Sequence, residues 1–276
     1  MNCRIEIEGD KVTATAEGLG SVDLPLDRLW PAVARATGYE ALPEALPEGI
    51  RFVERRGDGV VLVIEEKPRV RTVTWLDDAS PAQKGPEAVY RSVRLAFPFV
   101  IVVLGFERGM MTHNQQCFFR TAPLERLSDP LLHSCLYNVA DKHGIRCQLC
   151  LEHVDVTDLP WPRKADAIMR YFWGSAWNQS YELGGVKSYW QRRPGDTRLA
   201  SVSRWEQESL IDPFFPLQVV WQPADITVGE AISGILDRVA PGRAPGNASQ
   251  LYALLARENK IHSRRLRWIE RLAGGR

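Results

Sequence analysis

His133-Ser134-Cys135-Leu136-Tyr137-Asn138-Val139, followed by Gly144-Ile145-Arg146-Cys147, is the stretch on which the reading of this chain turns. It sets an asparagine just upstream of a cysteine, with a glycine turn between them. Such an arrangement holds a thiol beside a neutral amide. A cysteine that forms a thioester needs a donor for the oxyanion of acyl transfer, and an Asn amide supplies one without adding charge. On this reading Cys147 is the candidate nucleophile and Asn138 assists it. Arg146 would favour the thiolate, and Asp141 or Asp155 would receive a proton from an incoming amine.

Other chemistry fits the same residues. Cys147-Gln148-Leu149-Cys150 is a C-x-x-C, and His153 follows three residues later. With Cys135, or His133 in its place, the set Cys135, Cys147, Cys150 and His153 could surround a zinc ion. One C-x-x-C without a matching second pair is a loose pattern. In a strand, positions 147 and 150 point to opposite faces unless the strand ends between them. No cofactor is therefore expected, with zinc as the alternative. A redox pair would need a thioredoxin-like βαβ context, which the pattern lacks. The plainest reading makes Cys147 a small buried apolar residue and Asn138 a turn closer.

Outward from this stretch, the pattern is α+β. Residues 3–8 and 11–16 alternate around Glu8-Gly9-Asp10, which predicts a hairpin. Apolar spacing predicts a helix over 24–37, and a Pro-rich loop spans 42–49. Strands are expected at 51–54, 59–65 and 69–76, with Pro68 at an edge or bulge. Tyr90 to Phe106 reads as a buried strand or strand pair, and Gln115 to Arg120 as another. Residues 123–139 look irregular, broken by Pro130. A helix is expected over 165–177, extended chain over 199–205 and 217–221, a helix over 228–239 and a last one over 248–272. The composition changes near residue 186, so the domains are read as 1–185, a core with its N-terminal hairpin, and 186–276, an α/β extension ending in a basic helix.

Composition narrows the partners. The chain has 276 residues and a net charge of +1, so no overall field draws it to nucleic acid or a membrane. No apolar run is long enough to span a bilayer, and the first residues lack the order of a signal peptide. Five cysteines, an odd and sparse set, do not suggest a disulfide framework, so a cytoplasmic location is expected. Nine tryptophans indicate core or interface. From Arg257 to Arg276 seven Lys/Arg face two Glu, a local excess read as a solvated helix face rather than a nucleic-acid site. There is no Gly-x-Ser-x-Gly elbow, phosphate loop or dinucleotide fingerprint.

Residues 22 to about 185 resemble the ubiquitin-conjugating enzyme family. Asn138-Val139, Gly144 and Cys147 look like its Asn-Ile/Val, turn and active cysteine, and Trp161-Pro162 looks like its tryptophan–proline entry to a helix. The chain is similar to bacterial variants such as the PRTRC system protein B family, through Phe172-Trp173-Gly174-Ser175-Ala176. Leu136-Tyr137 stand where the family has His-Pro, and the Asn-to-Cys loop is one residue longer. The resemblance implies a core of helix, antiparallel meander, Cys-bearing loop and helix. It implies a carrier or positioner of a ubiquitin-like modifier, a conjugating transferase working by a Cys147 thioester. The implied partners are a ubiquitin-like protein, a ThiF-type activating enzyme and a JAB-type peptidase. The alternative is a catalytically inactive scaffold of the same fold within a multiprotein assembly.

Overall fold

The computed structural model describes residues 3–9, 11–16, 20–25, 49–151, 154–183 and 185–239. The chain is α+β, mostly sheet. It divides into two compact units. The first contains β1 (Cys3–Glu8), β2 (Lys11–Ala16) and β3 (Gly20–Pro25), an antiparallel sheet in that order. Val12, Ala14 and Val22 bury one face, as period-two alternation requires. The expected hairpin is present, and β3 adds a third strand. Leu24 and Pro25, the first residues of the helix expected over 24–37, instead end β3. The rest of the 24–37 helix, the loop at 42–48 and the basic helix at 248–272 lie outside the described residues.

The second unit contains the described residues 49–54 and 59–239 and carries Asn138 and Cys147. The boundary expected at 185/186 falls inside it. Its larger sheet is built from β4 (Ile50–Arg56), β5 (Gly59–Glu66) and, beyond β6 (Arg69–Leu76) and β7 (Tyr90–Phe97), β8 (Phe99–Glu107), β9 (Met110–Met111) and β10 (Gln116–Arg120). β11 (Pro130–His133), β12 (Val139–Lys142) and β13 (Ile145–Leu149) complete one side. The order is β12-β13-β10-β8-β5-β4, so the pairing is antiparallel as expected, but the strands are not consecutive as in a meander.

The cause is a pair of prolines. β5 pairs with β8 from Gly59↔Glu107 to Glu66↔Val100, and β6 pairs with β7 from Arg69↔Phe97 to Leu76↔Tyr90. These are two long arms that leave one sheet for another at Lys67-Pro68 and Pro98. Proline gives no N–H to a ladder, so pairing stops there on both arms. Pro68 therefore marks a sheet corner rather than a bulge.

Helix α1 (Trp161–Gly174) starts with Pro162 in its first turn, where a missing N–H is harmless. It ends before position 177. Ala176 and Trp177 form β14, parallel to β6. Lys164 is buried, and its ammonium donates to the carbonyls of Gly109, Val156 and Thr157 at 2.9, 2.5 and 2.7 Å.

Two further segments depart from the sequence reading. Thr197–Leu199 is a 3-10 turn, and helix α2 (Val202–Ile211) replaces the extended chain expected at 199–205. Ser201 caps α2 by accepting the Arg204 N–H, and Val202, Trp205 and Ser209 face inward at helical spacing. Phe215–Leu217 is a second 3-10 turn around Pro216, whose fixed φ suits a turn. The extended chain expected at 217–221 forms no strand; β15 (Pro223–Thr227), not foreseen from the sequence, follows it and pairs with β11. Pro130 opens β11 rather than breaking the segment, since a first strand residue needs no donor.

Helix α3 (Val228–Val239) matches its apolar spacing and opens with a capping box, Thr227 and Glu230 bonding reciprocally. It lies so close to β8 that a Cβ at Gly105 would stand 2.5 Å from Ile235 Cγ2. The core is aromatic. Trp75 is 0% exposed, with Tyr137, Trp177, Trp190 and Trp205 ring centroids 5.0–6.4 Å away. Each such side chain removed from water contributes about 2–3 kcal/mol. Among the described residues, no helix is long and apolar enough to cross a membrane.

Candidate functional site

The Cys147 region is a hairpin with a bulge. His143 and Gly144 have φ of +53° and +72°, the two left-handed residues of a tight turn closed by Lys142↔Ile145. The next aligned pair is Ala140↔Gln148, so Asp141 faces two residues, Arg146 and Cys147. Cys147 takes the extra length at φ +50°, where a side chain other than glycine's is strained by roughly 1–3 kcal/mol. Neighbouring side chains hold it there. The Cys147 N–H donates to Asp141 Oδ1 at 3.0 Å, and Gln116 Nε2 donates to the Arg146 carbonyl at 2.8 Å.

Register decides which residues meet. The ladder pairs Val139 with Leu149, and the Cys150 N–H donates to the Asn138 carbonyl at 2.9 Å. Asn138 thus lies opposite Cys150, and Cys147 opposite Asp141. The Asn138 side-chain amide is occupied at both ends. Nδ2 donates to the Ala176 carbonyl at 3.1 Å, and Oδ1 accepts the Asn178 N–H at 3.0 Å. Asn138 therefore clamps the hairpin to β14, with one of its two amide N–H groups committed to Ala176.

Cys147 is 0% exposed. Burial pushes its thiol well above the ordinary range; the Tyr189 hydroxyl beside it and Arg146 pull the other way, and Asp141 and Cys117 add to the rise. Arg146 is turned towards β15, donating to the Ala224 carbonyl at 2.5 Å. Asp155 accepts the Thr157 N–H at 3.0 Å in an exposed turn. The thiolate needed for attack is disfavoured in this setting.

A polar cluster surrounds the buried thiol. The Tyr189 hydroxyl donates to Asp141 Oδ1 at 2.6 Å and lies 3.3 Å from His133 Nε2. The His133 and Tyr189 rings are 4.2 Å apart, and Arg192 lies 3.9 Å from Asp141. His133 Nδ1 is buried and has no hydrogen-bond partner. Burial lowers the His133 pKa, against Asp141 and Asp225, which raise it. Nothing in the spacing near Cys147 announces Tyr189. Its only sequence signal is the aromatic pair Tyr189-Trp190 in an otherwise turn-rich stretch.

Asn138 and Cys150 both line an open cleft of about 910 Å³ beside α1, with Lys84, Arg170, Tyr171 and Asn178. Cys150 is half-buried, whereas Cys117, Cys135 and Cys147 are buried. Of the candidate zinc ligands, His153 lies outside the described residues. Strand β13 ends at Leu149, so Cys147 and Cys150 are not held to opposite faces by one strand. Burial pushes the Cys135 thiol up, and among the described residues no three His, Cys, Asp or Glu side chains gather to hold a metal ion. Compared with protein families, with curated proteins and with solved structures, the chain finds no match.

Proposed function

We propose that this chain is a non-catalytic scaffold of ubiquitin-conjugating-like type, working by contact within a multiprotein assembly. The observation that carries the reading is that Cys147 is 0% exposed, on a bulge, with its thiol pushed up by burial. The occupied Asn138 amide supports it from the other side of the supposed pair. The partners remain those the resemblance implies, a ubiquitin-like protein, a ThiF-type activating enzyme and a JAB-type peptidase, met without a thioester on Cys147.

A second reading keeps acyl transfer and moves it to Cys150. It is favoured by one observation, the half-buried Cys150 in the cleft that Asn138 also lines. A small thioester of a Gly-Gly peptide, offered to the native protein at neutral pH, separates the two. Intact mass and peptide mapping are expected to show no acyl group on Cys147. Acylation of Cys147 faster than of a free cysteine would overturn the scaffold reading. Such acylation confined to Cys150 would replace it with the second.

A further inference from the structure

A second cleft, of about 760 Å³, runs between α1 and the corner where β5 passes into β6. Four arginines line it, Arg69, Arg71, Arg163 and Arg170, against two carboxylates, Glu66 and Asp166. The two strand arginines are fixed. Glu66 pairs with both, and the Arg71 guanidinium stacks 4.0 Å from the centre of the Trp173 ring. The two helix arginines are exposed, and among the described residues neither has a carboxylate partner. Seven residues apart on α1, they stand about 10 Å apart along its axis.

We propose that this cleft docks an acidic segment of a partner protein, in polyproline-II conformation, with carboxylates about three residues apart. The inference rests on the scaffold reading, for which it supplies the chemistry of one contact. A polyproline-II chain has three residues per turn and rises about 3.1 Å per residue, so carboxylates at every third position share one face about 9 Å apart and match the Arg163–Arg170 spacing. Arginine forks take carboxylates in a bidentate way, and two unpaired forks beside two fixed ones give the cleft a net positive wall. A nucleic acid fits less well. Glu66 and Asp166 repel a uniform polyanion, and the Trp173 face that a base would use is covered by Arg71.

The test uses the full chain and a fluorescein-labelled (Glu-Gly-Ser)₄ peptide, read by anisotropy at low and physiological salt. Binding is expected, weakening with salt and weakening at least tenfold in Arg163→Glu/Arg170→Glu. The control Lys187→Glu/Arg126→Glu, also of exposed cations, is expected to bind within twofold of wild type. If the reversal variant does not fold, Arg163→Ala/Arg170→Ala is read instead, with the same direction expected. Equal binding of (Lys-Gly-Ser)₄, tighter binding of a dT12 oligonucleotide, no binding, or no effect of the variants overturns the proposal. Peptide binding together with acylation of Cys147 sinks the scaffold reading alone. No binding with Cys147 unacylated sinks the acidic-segment inference alone.

Discussion

The Tyr189 hydroxyl donates to Oδ1 of Asp141 at 2.6 Å, and the same oxygen accepts the backbone N–H of Cys147 at 3.0 Å. One half-exposed carboxylate thereby stabilises both the bulge and the segment that crosses it. Asp141→Ala removes the acceptor for two donors and is expected to destabilise by about 2–3 kcal/mol. Tyr189→Phe removes one donor and is expected to cost about 1 kcal/mol. Because both act through one oxygen, the double variant should lose little more than Asp141→Ala alone. Urea unfolding of the three variants checks this, and simple additivity would show that the two bonds are independent.

The strained backbone at Cys147 gives an inverted substitution pattern. At φ +50°, Cys147→Gly relieves strain while giving up a small buried side chain. The two effects are each about 1 kcal/mol and oppose, so stability should stay within about 1 kcal/mol of wild type. Cys147→Val places a β-branched side chain in the left-handed region and is expected to lose more than about 2 kcal/mol. An ordinary buried strand position would rank valine above glycine. Thermal melts that gave that order would remove the case for a strained bulge.

Much of the strand framework was legible because its signals are local. The strand-like runs at 59–65 and 69–76, the β-branched run from Tyr90 and the apolar stripe of 228–239 each specify an element without help from distant residues. What was not legible depends on pairing. Pro68 and Pro98 each look like local breaks, and only the two arms side by side show that they form one corner. The segment from Leu199 to Trp205 reads as extended, yet Ser201 caps a helix whose Trp205 is held by the Ala96 carbonyl at 2.8 Å. The candidate site shows the same division. The Gly144 turn was visible, but the bulge that sets Asn138 opposite Cys150 rather than Leu149, and Cys147 opposite Asp141, follows from ladder register. Tyr189 reaches Asp141 from 48 residues away, which no spacing rule near the cysteine encodes.

Thiol accessibility follows from the same geometry. Cys150 is half-buried at the cleft, whereas Cys117, Cys135 and Cys147 are buried, the Cys117 thiol being pushed up to about 12. Under native conditions at pH 7.5, iodoacetamide is therefore expected to label Cys150 well before those three, which should react only on unfolding. Peptide mapping by mass spectrometry reads each site separately. Labelling of Cys147 at a rate matching Cys150 would show that the bulge opens readily and would reopen the case for a reactive Cys147.

His133 sets an acid limit on stability. Burial lowers its pKa from the ordinary 6.5, and its ring is packed on Tyr189 with Asp141, Asp225, Arg146 and Arg192 nearby. In the unfolded chain the imidazole takes a proton as the pH falls through about 6.5. In the folded chain it takes one only at lower pH, so between those two points the unfolded state binds more protons. Stability then rises with pH across that window and is fully present above it. The fall in melting temperature between pH 7 and pH 5 should therefore be smaller in His133→Gln than in wild type. The variant keeps a polar side chain beside Tyr189 but cannot titrate. Identical pH profiles for the two proteins would show that His133 titrates alike in both states and that its burial carries no acid sensitivity.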